Sequence, residues 1–283
     1  MDSGRGLGFF VVGLAILLAA GVGLVGCGSP ATTSVTQPPV SLTVATTTST
    51  DSGSSTSTAS VSSTTTSLTT PTTGTSSVPA GGKEYSVLPT EDKVVALTFD
   101  AAYEPAPLAG ILAALEEADA MGTFFLTGEF VEDFPAEVAA IRAAGYAIGS
   151  HSYSHPDFVE LGDAEIRKQL YTTAQLLDAA NVADPRPLFR FPYGSRDKRT
   201  LSLLGEEGYV SFFWTIDTMD WKPERTTTEI RQVILDKLRP GAIVLMHVGS
   251  PQTAEILPRI LADLTERGYR TIGLREALAA YGG

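Results

Sequence analysis

The chain holds three histidines, and two of them, His151 and His155, stand four residues apart in the stretch from Gly149 to Pro156, GSHSYSHP. Four residues is one helical turn or the span of a tight loop, so both imidazoles can reach one metal ion. On that spacing alone, metal binding and a pair of ordinary exposed or core histidines are equally open. The other titratable residues stand at the ends of apolar runs. Asp100 follows VVALTF, Arg190 and Tyr193 belong to LFRFPY, Asp217 and Asp220 follow VSFFWTI, and His247 follows AIVLM. Two imidazoles, carboxylates, an arginine and a third histidine suit metal-assisted hydrolysis. The metal polarises a carbonyl, a carboxylate takes a proton from water, and a histidine returns one to the leaving group. The chain has no G-x-S-x-G elbow, and its single cysteine, Cys27, lies far upstream. Serine and cysteine nucleophile mechanisms therefore have little support.

Such residues need a scaffold that brings them to one place. Val94 to Phe99 is a short continuous apolar run, the pattern of a buried parallel strand. Further strands are predicted at Met121 to Leu126, Tyr146 to Ile148, Leu188 to Tyr193, Val210 to Ile216, Ala242 to Met246 and Tyr269 to Leu274. Between them, Leu108, Ile111, Leu112 and Leu115 recur at helical spacing, and so do Ile166, Leu170, Thr173 and Leu177. A helix carrying Val138 and Ile141 stops at Gly145. Another opens on a capping box, Thr226 to Glu229, and stops at Pro240-Gly241. A helix around Ile256 to Leu264 contains Pro258, which predicts a kink or a late start. A last helix covers Arg275 to Tyr281. Seven β-α units in series predict an α/β fold with a mostly parallel sheet and helical crossovers, of the kind that closes into a barrel. Chemistry in such barrels lies at the carboxyl ends of the strands, which gathers all three histidines on one rim.

The segment before Lys83 has a different character. Residues 1–27 form an export or anchoring segment: Gly6 to Gly26 is uncharged and apolar, long enough for a signal peptide or a membrane-spanning helix. Leu24-Val25-Gly26-Cys27 resembles the bacterial lipobox, which favours a lipoprotein lipidated at Cys27. Residues 28–82 are dominated by Ser and Thr, with Asp51 the only charge between Arg5 and Lys83. Such composition cannot offset its ordering entropy and predicts a disordered tether. Residues 83–283 form the catalytic domain. The expected location is outside the cytoplasmic membrane, anchored to it. A net charge of −12 sets nucleic acid aside as a partner.

Five pieces of the domain together resemble a known family. They are Thr98-Phe99-Asp100, His151 to His155, Arg190 to Tyr193, Asp217 to Trp221, and Leu245-Met246-His247. Their order and spacing are similar to the motifs of the NodB-type polysaccharide deacetylases, carbohydrate esterase family 4. The resemblance runs from about Val94 to the C-terminus. It implies a distorted (β/α)7 barrel that removes N-acetyl groups from chitin-like or peptidoglycan sugars with a divalent metal such as zinc. It also implies roles. Asp100 would be the general base, oriented by Arg190, and His151 and His155 would be metal ligands. The Tyr193 backbone N–H would stabilise the oxyanion. His247 would be the general acid, paired with Asp220, and Trp221 and Leu245 would line the acetyl pocket. Asp217 reads as a turn or cap residue.

The chain departs from the family pattern at one position. The motif usually continues with a second aspartate, the third metal ligand, and here that position is Ala101. The muramic acid deacetylase subgroup resembles the chain more closely, since it too lacks that aspartate and carries a similar Tyr-Glu pair, here Tyr103-Glu104. That favours peptidoglycan as the substrate. Two other readings stay open: a wall-binding lipoprotein whose catalysis is impaired by Ala101, and a related C–N hydrolase acting on a small amide.

Overall fold

The computed structural model describes residues 82–282. The export segment with Cys27 and the Ser/Thr-rich tether, Gly82 apart, lie outside the described residues. No helix among the described residues is long and apolar enough to cross a membrane.

The elements alternate as the apolar runs predict. In chain order they are β1 (Glu84–Tyr85), β2 (Val94–Ala101), α1 (Leu108–Glu117), β3 (Gly122–Leu126), α2 (Gly128–Asp133), α3 (Pro135–Ala143), β4 (Ala147–Ser150) and α4 (Asp163–Ala179). There follow β5 (Leu188–Phe189), α5 (Lys198–Glu206), β6 (Val210–Phe212), β7 (Ile216–Asp217), α6 (Thr227–Lys237), β8 (Ala242–His247), α7 (Pro251–Glu266), β9 (Arg270–Thr271) and α8 (Leu274–Tyr281). The strands form one curled sheet in the order β1-β6-β5-β4-β3-β2-β8-β7, with β9 also paired to β2. All these strand pairs are parallel. This is the distorted barrel the sequence predicts. Its two ends are joined not by a ladder but by the chain itself, since Phe213 to Thr215 cross from β6 to β7. The Phe213 N–H reaches Tyr85 O and the Thr215 N–H reaches Ile243 O, which stitches that seam to both sides.

Alternation along β2 sorts its side chains. Leu97, Phe99 and Ala101 join the outer core with Ile111 and Leu115 of α1 and Leu257 of α7. Val94 and Ala96 face the barrel interior with Phe125, Leu188, Phe212 and Ile243, and α8 plugs this lower end through Leu274 and Ala277. Thr98 and Asp100 continue the inward face, so the carboxylate arrives at the strand's carboxyl end.

Several elements differ from the sequence expectation. The strand read at Leu188 to Tyr193 ends at Phe189, because Pro192 lacks an N–H and Tyr193 turns to φ +57° in a short 3₁₀ turn. The run Val210 to Ile216 is two strands flanking the seam, and Tyr269 to Leu274 pairs only at Arg270–Thr271 before α8 begins. Pro258 neither delays nor interrupts α7, which starts at a Ser250 cap and runs through it. It sits on the exposed face, where water can satisfy the carbonyl one turn back. The Thr226–Glu229 capping box forms as expected, while α2 and α5 had no counterpart in the sequence reading.

Candidate active site

A cavity of about 710 Å³ opens at the carboxyl ends of the strands. Its walls include Asp100, His151, His155, Tyr193, Trp221, Leu245 and His247. Of the sequence-assigned site residues within the domain, the remaining two, Arg190 and Asp220, stand directly behind this wall.

Asp100 and His247 are direct register partners across the β2–β8 ladder. Each has its own buried partner. Arg190, only 1% exposed, gives Nη1 to Asp100 Oδ1 at 2.8 Å and to Thr98 Oγ1 at 2.8 Å. Its Nε and Nη2 reach the carbonyls of Phe212 and Phe213, and its guanidinium lies 4.4 Å over the Phe125 ring. A buried cation with its donors so occupied is a fixed part of the wall. Burial acts to raise the Asp100 pKa, but the charge of Arg190, aided by His151 and His247, holds it below the usual carboxylate value. The carboxylate is therefore kept ionised.

Asp220, 2% exposed, accepts from His247 twice: Oδ2 from the backbone N–H at 2.8 Å and Oδ1 from Nδ1 at 2.7 Å. Because a carboxylate can only accept, Nδ1 carries the proton and Nε2 is left as the working nitrogen. Burial acts against a charged His247, but the hydrogen bond and charge of Asp220, with Asp100 and Asp217 behind it, push its pKa above the ordinary value.

The histidine loop follows β4, and the His151 N–H pairs with Leu126 O. His151 Nδ1 donates to Arg190 O at 2.9 Å, so its Nε2 bears a lone pair. His155 takes φ +57° and its N–H donates to Ser152 Oγ at 3.0 Å. The two rings lie 4.9 Å apart between centroids. Burial, opposed by Asp100, lowers the His151 pKa, and burial with His151 brings His155 down to about 4. Both imidazoles are thus neutral near pH 7.

Tyr193 takes φ +57° and leaves its ring 69% exposed. The hydrogen bonds of its turn come from the N–H groups of Gly194 and Ser195. Trp221 is 59% exposed on the rim and Leu245 is buried in the wall. Asp217 Oδ1 accepts from the Met219 N–H, a turn contact of the kind anticipated, and the residue also lines the cavity. Ser152, His155, Tyr193 and Met219 all hold positive φ without being glycine, so strained backbone gathers at this rim.

The polysaccharide deacetylase family model matches residues 88–212. The chain is 30% identical to the peptidoglycan-N-acetylmuramic acid deacetylase PdaA of Bacillus subtilis over 182 residues, 64% of this chain and 69% of that protein. The chain belongs to the polysaccharide deacetylase family. Among solved structures, it is similar to a family 4 carbohydrate esterase pseudoenzyme from Bacillus anthracis. That likeness has 34% identity and a TM-score of 0.63 and covers 66% of each chain. A mutant of that pseudoenzyme with restored enzymatic activity matches at 35% identity and a TM-score of 0.63, over 66% of this chain and 68% of that one.

The deacetylase family implies a divalent metal, and the residues present fit one in part. His151 Nε2, an acceptor, faces Asp100 Oδ2, also an acceptor, at 3.5 Å. His155 Nδ1 is buried without a hydrogen-bond partner. A cation held by the two neutral imidazoles would relieve that acceptor-on-acceptor contact. Among the described residues, no group of three or more His, Cys, Asp or Glu is gathered for a metal ion. Ala101, at the position of the motif's usual second aspartate, is buried and packs with the outer core, so it offers no third ligand. Glu104 is also occupied, since its Oε1 accepts from the Ala106 N–H at 2.9 Å.

The sequence reading missed Thr98, Thr253 and Trp214. Thr98 was accessible, because it stands two residues before Asp100 on the same face of a strand. Thr253 carried no signal, lying 33 residues from the carboxylate it touches.

Proposed function

We propose that the domain removes N-acetyl groups from a cell-wall polysaccharide, peptidoglycan, and that it does so with a divalent metal held by His151 and His155. One observation carries the reading. Opposite each other on the β2–β8 ladder, a carboxylate held below its usual pKa and an imidazole held above its usual pKa face the same cavity. Hydrolysis of an amide needs a base for the attacking water and an acid for the departing amine.

Asp100 takes the proton from water, with Arg190 fixing the direction of its second oxygen. The Tyr193 N–H points a donor at the developing oxyanion. His247 Nε2 protonates the amine while Asp220 steadies the imidazolium. When bound, a divalent cation such as zinc supplies Lewis-acid polarisation and acidifies water. The exposed rings of Tyr103, Tyr193 and Trp221 give the rim flat apolar faces suited to a sugar ring, and Leu245 gives the wall a seat for an acetyl methyl. The names of relatives that act on peptidoglycan, the lipobox-like Cys27 and the Ser/Thr-rich tether support a domain working outside the cytoplasmic membrane, anchored to it by lipid.

A second reading has its own support: a wall-binding protein with impaired catalysis. It rests on Ala101 and on the likeness to a pseudoenzyme of the same family. Acetate release from purified peptidoglycan by the full chain, with and without a chelator and added zinc, separates the two. Chelator-sensitive release that His151→Ala abolishes, with the fold intact, supports the enzyme. No release under any metal favours the binding protein.

A further inference from the structure

α7 begins beside the cavity, and its first turn touches the acid–base machinery. Ser250 caps the helix by accepting from the Thr253 N–H at 3.1 Å. Thr253, fully buried, gives its hydroxyl to Asp220 Oδ2 at 2.5 Å. Asp220 thus takes three hydrogen bonds, two of them from His247. Of those two, the ring bond can turn with the carboxylate, so only the His247 backbone N–H, on β8, fixes Asp220 to the barrel. Thr253 supplies the second fixed point, on a helix anchored in the outer core by Leu257, Ile260 and Leu261.

We propose that Thr253 is a positioning residue for the reaction, locking the Asp220 carboxylate so that Oδ1 holds the Nδ1–H of the His247 imidazolium and leaves its Nε2–H to be given up. The proposal rests on the reading of His247 as proton donor. The hydroxyl has one hydrogen, and it is spent on Oδ2. Without it, a buried carboxylate oxygen keeps only the backbone bond from His247, and the carboxylate can rotate or take up a proton. Either event weakens its hold on Nδ1–H. The contact needs a hydroxyl rather than volume, so serine satisfies it and the isosteric valine does not.

The chain has three histidines, so ¹⁵N spectra of the full chain labelled at histidine contain three imidazoles, with His247 assigned by its loss in His247→Asn. In the wild type, His247 is expected to show a protonated Nδ1 with a slowly exchanging hydrogen-bonded proton. Thr253→Val is expected to lose that signature and to lower kcat about 10- to 100-fold at unchanged KM. Thr253→Ser restores both, and Thr253→Ala repeats the test should the valine variant not fold. A valine variant that keeps the signature and kcat overturns the proposal. So does a serine variant that behaves like valine, since packing would then be the cause. Wild type that releases no acetate defeats the proposed function, and the spectra then decide the lock by themselves.

Discussion

Asp100 and Asp220 are two buried aspartates serving one cavity, and their partners set them apart. Asp100 is tied to Arg190, a guanidinium that does not release its proton at any ordinary pH. Asp220 is tied to His247, which does. In the proposed reaction, the first pairing fixes a charge and leaves the carboxylate free to act as a base. The second holds the carboxylate in place and makes its partner an acid. The same side chain thus takes opposite roles from the titration chemistry of the residue beside it.

This contrast can be broken from either side. The largest effect is expected from Asp100→Asn, which removes the base but keeps the shape. Acetate release should fall about 10²- to 10⁴-fold. A loss below tenfold would mean that the Arg190 side does not host the base. Next is Arg190→Met, which leaves Asp100 buried without its cation. A loss of about 3–5 kcal/mol in urea unfolding is expected. Arg190→Lys should recover little of it, because one ammonium cannot reach the Asp100 carboxylate, the Thr98 hydroxyl and two carbonyls together.

The smallest effect concerns pH and is read in chelator-treated protein. His155 has its pKa lowered to about 4 by burial and His151. Between about pH 6.5 and that value the unfolded chain binds more protons at this position, so its contribution to stability is present above that window and lost as pH falls through it. His247 has a raised pKa, so its contribution is full below about pH 6.5 and is lost as pH rises through the folded value. His155→Gln should therefore flatten the acid limb of the stability profile, and His247→Gln the alkaline limb. Identical changes in both variants would show that the two histidines are not held in opposite states.

Much of this arrangement was readable from the chain. VVALTF announced a doubly covered strand, and the polar residue at its end had to meet the cavity. The three histidines followed from the same logic applied to β4 and β8. Length was less readable than existence. VSFFWTI is apolar throughout, yet Phe213 to Thr215 leave the ladder to close the barrel, a demand of curvature that no local pattern records. The passage of α7 through Pro258 was equally hidden, since it depended on which face of the helix met solvent. The donors behind the site were the hardest to see. The lock on Asp220 comes from a helix whose threonine looks, in sequence, like any polar residue in a first turn.

The seam that closes the barrel also gives the protein an optical address. The chain has two tryptophans, and both line the cavity: Trp214 on the seam, stacked on Phe213 at 3.8 Å, and Trp221 on the rim. Tryptophan emission from the protein is thus emission from the walls of its site. A glycan settling over Trp221 changes that emission without any label, while Trp214 reports whether the seam stays shut. Occupancy can then be followed in the same cuvette as acetate release, and a protein that binds without cutting becomes visible as such.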